Sequence, residues 1–145
     1  MDIQIISEPF ELTLHGYSGI ATTKDYVGTA FQLMDRMWKE VRSRELKNKG
    51  RNVWVFEPGD SVFAGIELES PVFEGTNLER RKMHLEKYAY FKHIGPYNLI
   101  RETGQRIRRQ LFDAGFSPSH PYLEIYGHMG PDESKLETEL IVALG

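Results

Sequence analysis

The sequence predicts an α+β fold: two pseudo-symmetric strand–helix–strand–strand (βαββ) units that form an antiparallel sheet pair with a ligand cleft between them. Three observations predict it. The last stretch, Lys135–Leu144, alternates with period two: Leu136, Thr138, Leu140, Val142 and Leu144 share one face, and Glu137, Glu139, Ile141 and Ala143 the other. An apolar stripe of helical spacing occurs twice, each time after a strand and before a glycine. The order strand–helix–strand–strand recurs at a period near 70 residues, about 8–72 and 80–145, with little identity of letters between the copies.

Taken in order, Phe10–Ala21 is rich in β formers and reads as a strand reaching a Gly-Tyr-Ser-Gly turn or bulge. Thr22, Thr23 and Asp25 offer N-cap chemistry for a helix from about Asp25 to about Leu46. Its stripe is Val27, Ala30, Phe31, Met34, Trp38 and Val41, and Gly50 stops the segment. Asn52–Glu57 and Ser61–Glu69 read as strands joined by the turn Pro58-Gly59-Asp60. Ser70–Lys82 is a polar connection, and Met83–Ile94 is one strand with Tyr88 and Tyr90 on a common face. Gly95-Pro96 opens a second helix with Ile100, Ile107, Leu111 and Ala114 inward, ended by Gly115. Gly104 lies where a glycine permits close packing on the sheet. Pro121–Gly127 is a strand, His128–Glu133 a loop, and the last stretch closes the second unit.

A chain of 145 residues suffices for one domain, and each unit alone is too small to bury a helix stripe and a sheet face well. Pairing the units solves this and leaves a cleft at the pseudo-twofold, a common place for ligands. With 40% hydrophobic and 27% charged residues the balance is that of a globular protein. A net charge of −3 makes no electrostatic case for nucleic acid. The absence of cysteine excludes disulfides and thiol chemistry. The five histidines show no metal-ligand grouping, so no metal is expected. The N-terminus has no signal-peptide pattern and no apolar run approaches a membrane span, so a cytoplasmic location is the expectation. The units use up the chain, which leaves nothing for a DNA-reading helix-turn-helix and predicts a stand-alone module. A homodimer stays open.

Aromatics beside a carboxylate suit a flat organic cation, because the rings supply stacking and cation–π attraction and the carboxylate supplies charge. Trp54 and Phe56 share a strand face, as do Tyr88 and Tyr90, and Tyr126 sits beside Glu124. Phe31, Phe91 and Phe112 read as core instead. Glu137 and Glu139 lie on a face that ends apolar, and a sheltered carboxylate there needs a cation or a proton. The plain alternative is an amphipathic strand with two wet glutamates. Arg101, Arg106, Arg108 and Arg109 read as the solvated face of the second helix.

Four segments, YAYFKHIGPY (Tyr88–Tyr97), AGF (Ala114–Phe116), PYLEIYG (Pro121–Gly127) and ETELIVAL (Glu137–Leu144), together resemble the GyrI-like family. That family is also described as the effector-binding domain of bacterial AraC- and MerR-type multidrug regulators, and the resemblance spans nearly all of the chain. It implies a pocket at the junction of the two units in which, in drug-binding members, a glutamate buried among aromatics receives lipophilic cations. The family's late strand reads Glu-apolar-x-apolar-Pro; Glu139-Leu140-Ile141-Val142 matches it, with Ala143 in place of the proline. The resemblance thus carries the pocket carboxylate onto Glu139, with Glu137 second, and places Trp54, Tyr90, Tyr126 and Phe56 in the wall. The implied function is binding of lipophilic, cationic, drug-like molecules without a cofactor. The alternatives are a GyrI-like hydrolase of cyclopropane-bearing electrophiles, with Glu139 and Tyr90 assisting water, and a gyrase-inhibitor-like interaction protein.

Overall fold

The computed structural model describes residues 2–69, 76–127 and 132–145. Its elements are β1 (Gln4–Ile6), β2 (Phe10–Ile20), α1 (Tyr26–Ser43), β3 (Asn52–Glu57), β4 (Ser61–Ile66), β5 (Glu79–Leu85), β6 (Tyr88–Ile94), α2 (Ile100–Asp113), β7 (Pro118–Tyr126) and β8 (Glu137–Leu144). The strands join in one antiparallel sheet in the order β1-β6-β8-β7-β3-β4-β2-β5. This order maps onto itself when β1–β2–α1–β3–β4 is exchanged with β5–β6–α2–β7–β8, and β3 and β7 meet at the centre. The helices repeat too. Each buried position of α1 has a buried counterpart 70 residues later in α2: Ala30 and Ile100, Leu33 and Thr103, Met37 and Ile107, Val41 and Leu111.

Each half therefore carries an extra leading strand. The stretch Met83–Ile94, read from sequence as one strand, is the end of β5, a two-residue bend at Glu86-Lys87 and all of β6. The expected connection Ser70–Lys82 already contains the start of β5, and its residues 70–75, like 128–131 of the expected loop, lie outside the described residues. β1 pairs with β6 of the other half, and β5 pairs with β2 of the first.

The sheet curls strongly. Phe10 on β2 and Tyr88 on β6 are 5.5 Å apart although four strands separate theirs in the sheet. Its concave face closes on a core that includes Leu14, Val53, Val55, Phe63, Leu123 and Ile141. Both helices pack on the convex face, α1 over Trp54, Val62, Ala64 and Ile66, and α2 over Ala89, Leu140 and Val142. Both faces of the central strands are thus buried, which is why strands such as β4 read as nearly continuous apolar runs.

Three local expectations are corrected. Gly16–Gly19 makes no turn: β2 runs straight through it. Gly16 lies opposite Gly65, and a Cβ added to it would stand 1.9 Å from the Ala64 carbonyl oxygen. α1 ends at Ser43, before the expected Leu46, in a Schellman cap whose left-handed residue is Glu45 (φ 52°), with Leu46 N–H donating to the Val41 carbonyl. α2 ends the same way with Gly115 (φ 87°) in that place. Phe112, expected in the core, is 75% exposed.

On the outer edge, His84 of β5 stands between two carboxylates, Nδ1 3.0 Å from Glu11 Oε1 and Nε2 2.6 Å from Glu86 Oε1. Hydrogen bonds to Glu86 and Glu11 raise its pKa above the usual 6.5. A group whose folded pKa is raised adds stability that is complete below the unfolded value and lost as pH rises through the folded one. An NMR titration is expected to place the His84 midpoint above 6.5 and to move it back toward that value in Glu86→Gln. A midpoint unmoved by the substitution contradicts this.

Candidate functional site

On the convex face, over the β3–β7 junction and between α1 and α2, lies a cleft of about 1070 Å³. Its floor is built by strand alternation. Trp54 and Phe56 of β3 and Tyr122, Glu124 and Tyr126 of β7 point outward from the sheet, while Val53, Val55, Leu123 and Ile125 fill the concave core. Register places Trp54 opposite Glu124 and Phe56 opposite Tyr122. The rings interlock: Trp54 meets Tyr126 at 4.8 Å and Phe31 of α1 at 5.1 Å, both edge-on. Phe56 stacks on Tyr122 at 5.8 Å, and Tyr97, before α2, packs edge-on against Tyr126 at 5.4 Å. The Trp54 Nε1–H is buried with no acceptor among the described residues.

Glu124 is the carboxylate of this floor. It is 9% exposed and forms no ion pair among the described residues; its partners are two neutral hydroxyls. Tyr122 Oη donates to Oε2 at 2.7 Å, and Tyr126 Oη donates to Oε1 in a shorter bond. Burial raises the Glu124 pKa, and the two hydroxyls together with nearby His93 pull part of that shift back. The same burial, with the Glu124 charge beside them, pushes the Tyr122 and Tyr126 hydroxyls far upward, so both remain protonated donors. Behind this group, His93 Nε2 lies 3.1 Å from the Pro96 carbonyl and Nδ1 3.1 Å from Thr103 Oγ1, which ties the segment bearing Tyr97 to β6 and α2. The Pro96 oxygen only accepts, so Nε2 carries a proton.

Of the residues singled out from sequence, the structure brings Trp54, Phe56 and Tyr126 together in the cleft. Glu139 and Tyr90 are together but elsewhere, on the concave face with Ile125 and Ile141. Tyr90 Oη donates to Glu139 Oε1 at 3.0 Å, and Arg51 Nη1 lies 3.5 Å from Oε2. Glu139 is 30% exposed and its charge is already matched. Burial first, and then Glu139, push the Tyr90 hydroxyl up to about 12. Glu137 is exposed, 3.8 Å from Lys92 Nζ. β8 turns Glu137 and Glu139 to the side of the sheet without helices, so neither lines this cleft, and the carboxylate on its floor is Glu124. The missed signal is the period-two run Tyr122-x-Glu124-x-Tyr126, a carboxylate between two tyrosines on one strand face.

The helix walls differ from their sequence reading. Val27 and Phe31, expected on the buried stripe of α1, are 56% and 49% exposed and form a cleft wall with Met34; Leu33 and Met37 take the inward positions. Arg101 and Arg108, expected on the solvated face of α2, line the opposite wall.

No family profile and no curated protein matches the chain. Solved structures do. The C-terminal domain of EcmrR superposes with a TM-score of 0.78 at 14% identity, over 100% of this chain and 99% of that one. SAV2435 bound to tetraphenylphosphonium gives 0.66 at 16% identity, covering 100% and 94%. A hydrolase from Listeria innocua gives 0.58 at 13%, covering 99% and 91%. The chain shares the fold of the GyrI-like effector-binding domains, as the sequence resemblance implies. No helix among the described residues is long and apolar enough to cross a membrane.

Proposed function

We propose that this chain is a small-molecule-binding domain whose cleft takes lipophilic, drug-like organic cations, with Glu124 as the carboxylate that selects charge. One observation carries the reading: a buried carboxylate whose hydrogen-bond partners among the described residues are neutral hydroxyls, on the floor of a large aromatic cleft. Such an anion is costly to ionise unless a cation arrives, so a bound cation gains what the empty site lacks. The rings supply apolar area and cation–π attraction with little demand on ligand shape. The solved complex of SAV2435 with tetraphenylphosphonium, on the same fold, supports this choice of ligand class. Calorimetric titration with tetraphenylphosphonium is expected to give one saturable site of roughly micromolar affinity. Absence of saturable binding into the millimolar range refutes the reading.

A second reading, hydrolysis of a strained electrophile, is favoured by the two tyrosine donors on a carboxylate of raised pKa, a pairing suited to general acid–base chemistry. The hydrolase among the structures of the same fold supports keeping it. Turnover of a cyclopropane-bearing electrophile, followed by mass spectrometry and lost in Glu124→Gln, separates catalysis from binding alone.

A further inference from the structure

The two walls of the cleft occupy equivalent positions in the two halves and are chemically opposite. At the 70-residue offset that relates the buried positions of α1 and α2, Phe31 corresponds to Arg101, and Met34 to Gly104. The α1 wall is apolar; the α2 wall carries Arg101 and Arg108 with Gly104 between them. Seven residues apart, the two arginines are two turns apart on one side of the helix, about 10 Å along its axis, within the span that two flexible side chains bridge. Neither has a carboxylate partner among the described residues. Arg108 instead stands over the Tyr122 ring, 5.4 Å from its centroid. Gly104 leaves a notch between them: a Cβ there would lie 3.5 Å from Tyr122 Oη.

The acidic groups around the cleft mouth are already engaged. Asp25 caps α1 through Gly28 N–H at 3.0 Å, Asp60 accepts from Tyr26 Oη at 2.5 Å, and Glu57 pairs with Arg81 at 2.9 Å. Past that mouth, the cleft presents one buried anion on the floor and, on one wall, two guanidiniums without a carboxylate partner among the described residues. A simple cation satisfies the first and is repelled by the second. Planar guanidiniums match a carboxylate or sulfonate with paired N–H donors.

Resting on the binding reading of this cleft, we propose that its preferred ligands are amphoteric: an aromatic cation that also carries an acidic group, with the cationic centre over Glu124 and the acid in the notch between Arg101 and Arg108. The ring system then lies against the apolar α1 wall.

Three probes test this: a zwitterionic rhodamine with a free benzoate, its methyl ester, and tetraphenylphosphonium. The protein is expected to bind the free acid about tenfold more tightly than the ester, the gain of one charge-assisted pair. Arg101→Ala, at an exposed position with no ion pair among the described residues, is expected to remove most of that preference, and Arg101→Ala with Arg108→Ala all of it. Both variants are expected to bind tetraphenylphosphonium more tightly, because repulsion is relieved, a direction that damage to the fold does not produce. Equal binding of acid and ester, or a preference that survives the double variant, overturns this inference while tetraphenylphosphonium binding still stands. Failure of all three probes to bind overturns the cleft reading and this inference with it.

Discussion

Glu124→Gln weakens tetraphenylphosphonium binding by about thirtyfold, roughly 2 kcal/mol, and leaves a neutral tetraphenyl analogue of the same shape within about twofold. The amide keeps the volume and an acceptor oxygen for a tyrosine hydroxyl, so the apolar part of the affinity persists and the charge term disappears. Equal losses for both ligands would assign the effect to packing. Protons report the same event. Burial raises the pKa of empty-site Glu124 above its ordinary 4.5, and a bound cation lowers it again. Cation binding therefore releases a proton between those two values, and affinity falls as pH drops through the raised one. Calorimetry in two buffers of different ionisation enthalpy counts that proton; the count is zero in Glu124→Gln. The sign for stability follows from the same shift. The folded chain holds this proton more tightly than the unfolded chain, so the contribution is fully favourable below the unfolded value and is lost as pH rises through the folded one. Above that, ionised Glu124 is a cost, and Glu124→Gln melts no lower than the parent at pH 8.

Gly16→Ala is expected to cost about 3 kcal/mol or more, a fall in Tm on the order of 10 °C. The added methyl meets the Ala64 carbonyl oxygen at 1.9 Å and the Gly65 Cα at 2.6 Å. These are backbone atoms of a paired strand, so relief requires β2 and β4 to part. Gly59→Ala supplies the contrast. Gly59 has φ 81° with nothing within 4 Å of an added Cβ, so its cost is confined to backbone strain of about 1 kcal/mol. Similar losses at the two positions would mean that the β2–β4 approach is softer than its geometry.

Much of this architecture is legible in the letters. Both helices, the β3–β4 hairpin, β7 and β8 follow from periodicity and from Gly/Pro punctuation. What escapes does so for physical reasons. The break between β5 and β6 is a bend at Glu86-Lys87, with neither Gly, Pro nor Asn to mark it. α1 stops at a left-handed glutamate, where the same cap on α2 uses the expected glycine. Alternation says which residues share a face, but not which face receives the helices. In a sheet buried on both sides, alternation alone does not say whether Glu124 or Glu139 faces the cleft, and only the tyrosines that flank Glu124 on its strand face set the two apart. Arg101 and Arg108 have the spacing of a wet helix face because a cavity wall is wet too.

The exchange of leading strands, β1 onto β6 and β5 onto β2, makes the two halves indivisible. A half-molecule would lack the edge that its partner supplies and would expose the strand beneath it, so the repeat is not a unit of folding. The fragment cannot keep one wall of the cleft while losing the other, and a ligand that touches both helices reports on the integrity of the whole chain. That interdependence also leaves the walls free to diverge. Each helix is seated by a scaffold that both halves complete, so one wall can turn apolar and the other cationic without either disturbing the frame that holds them face to face.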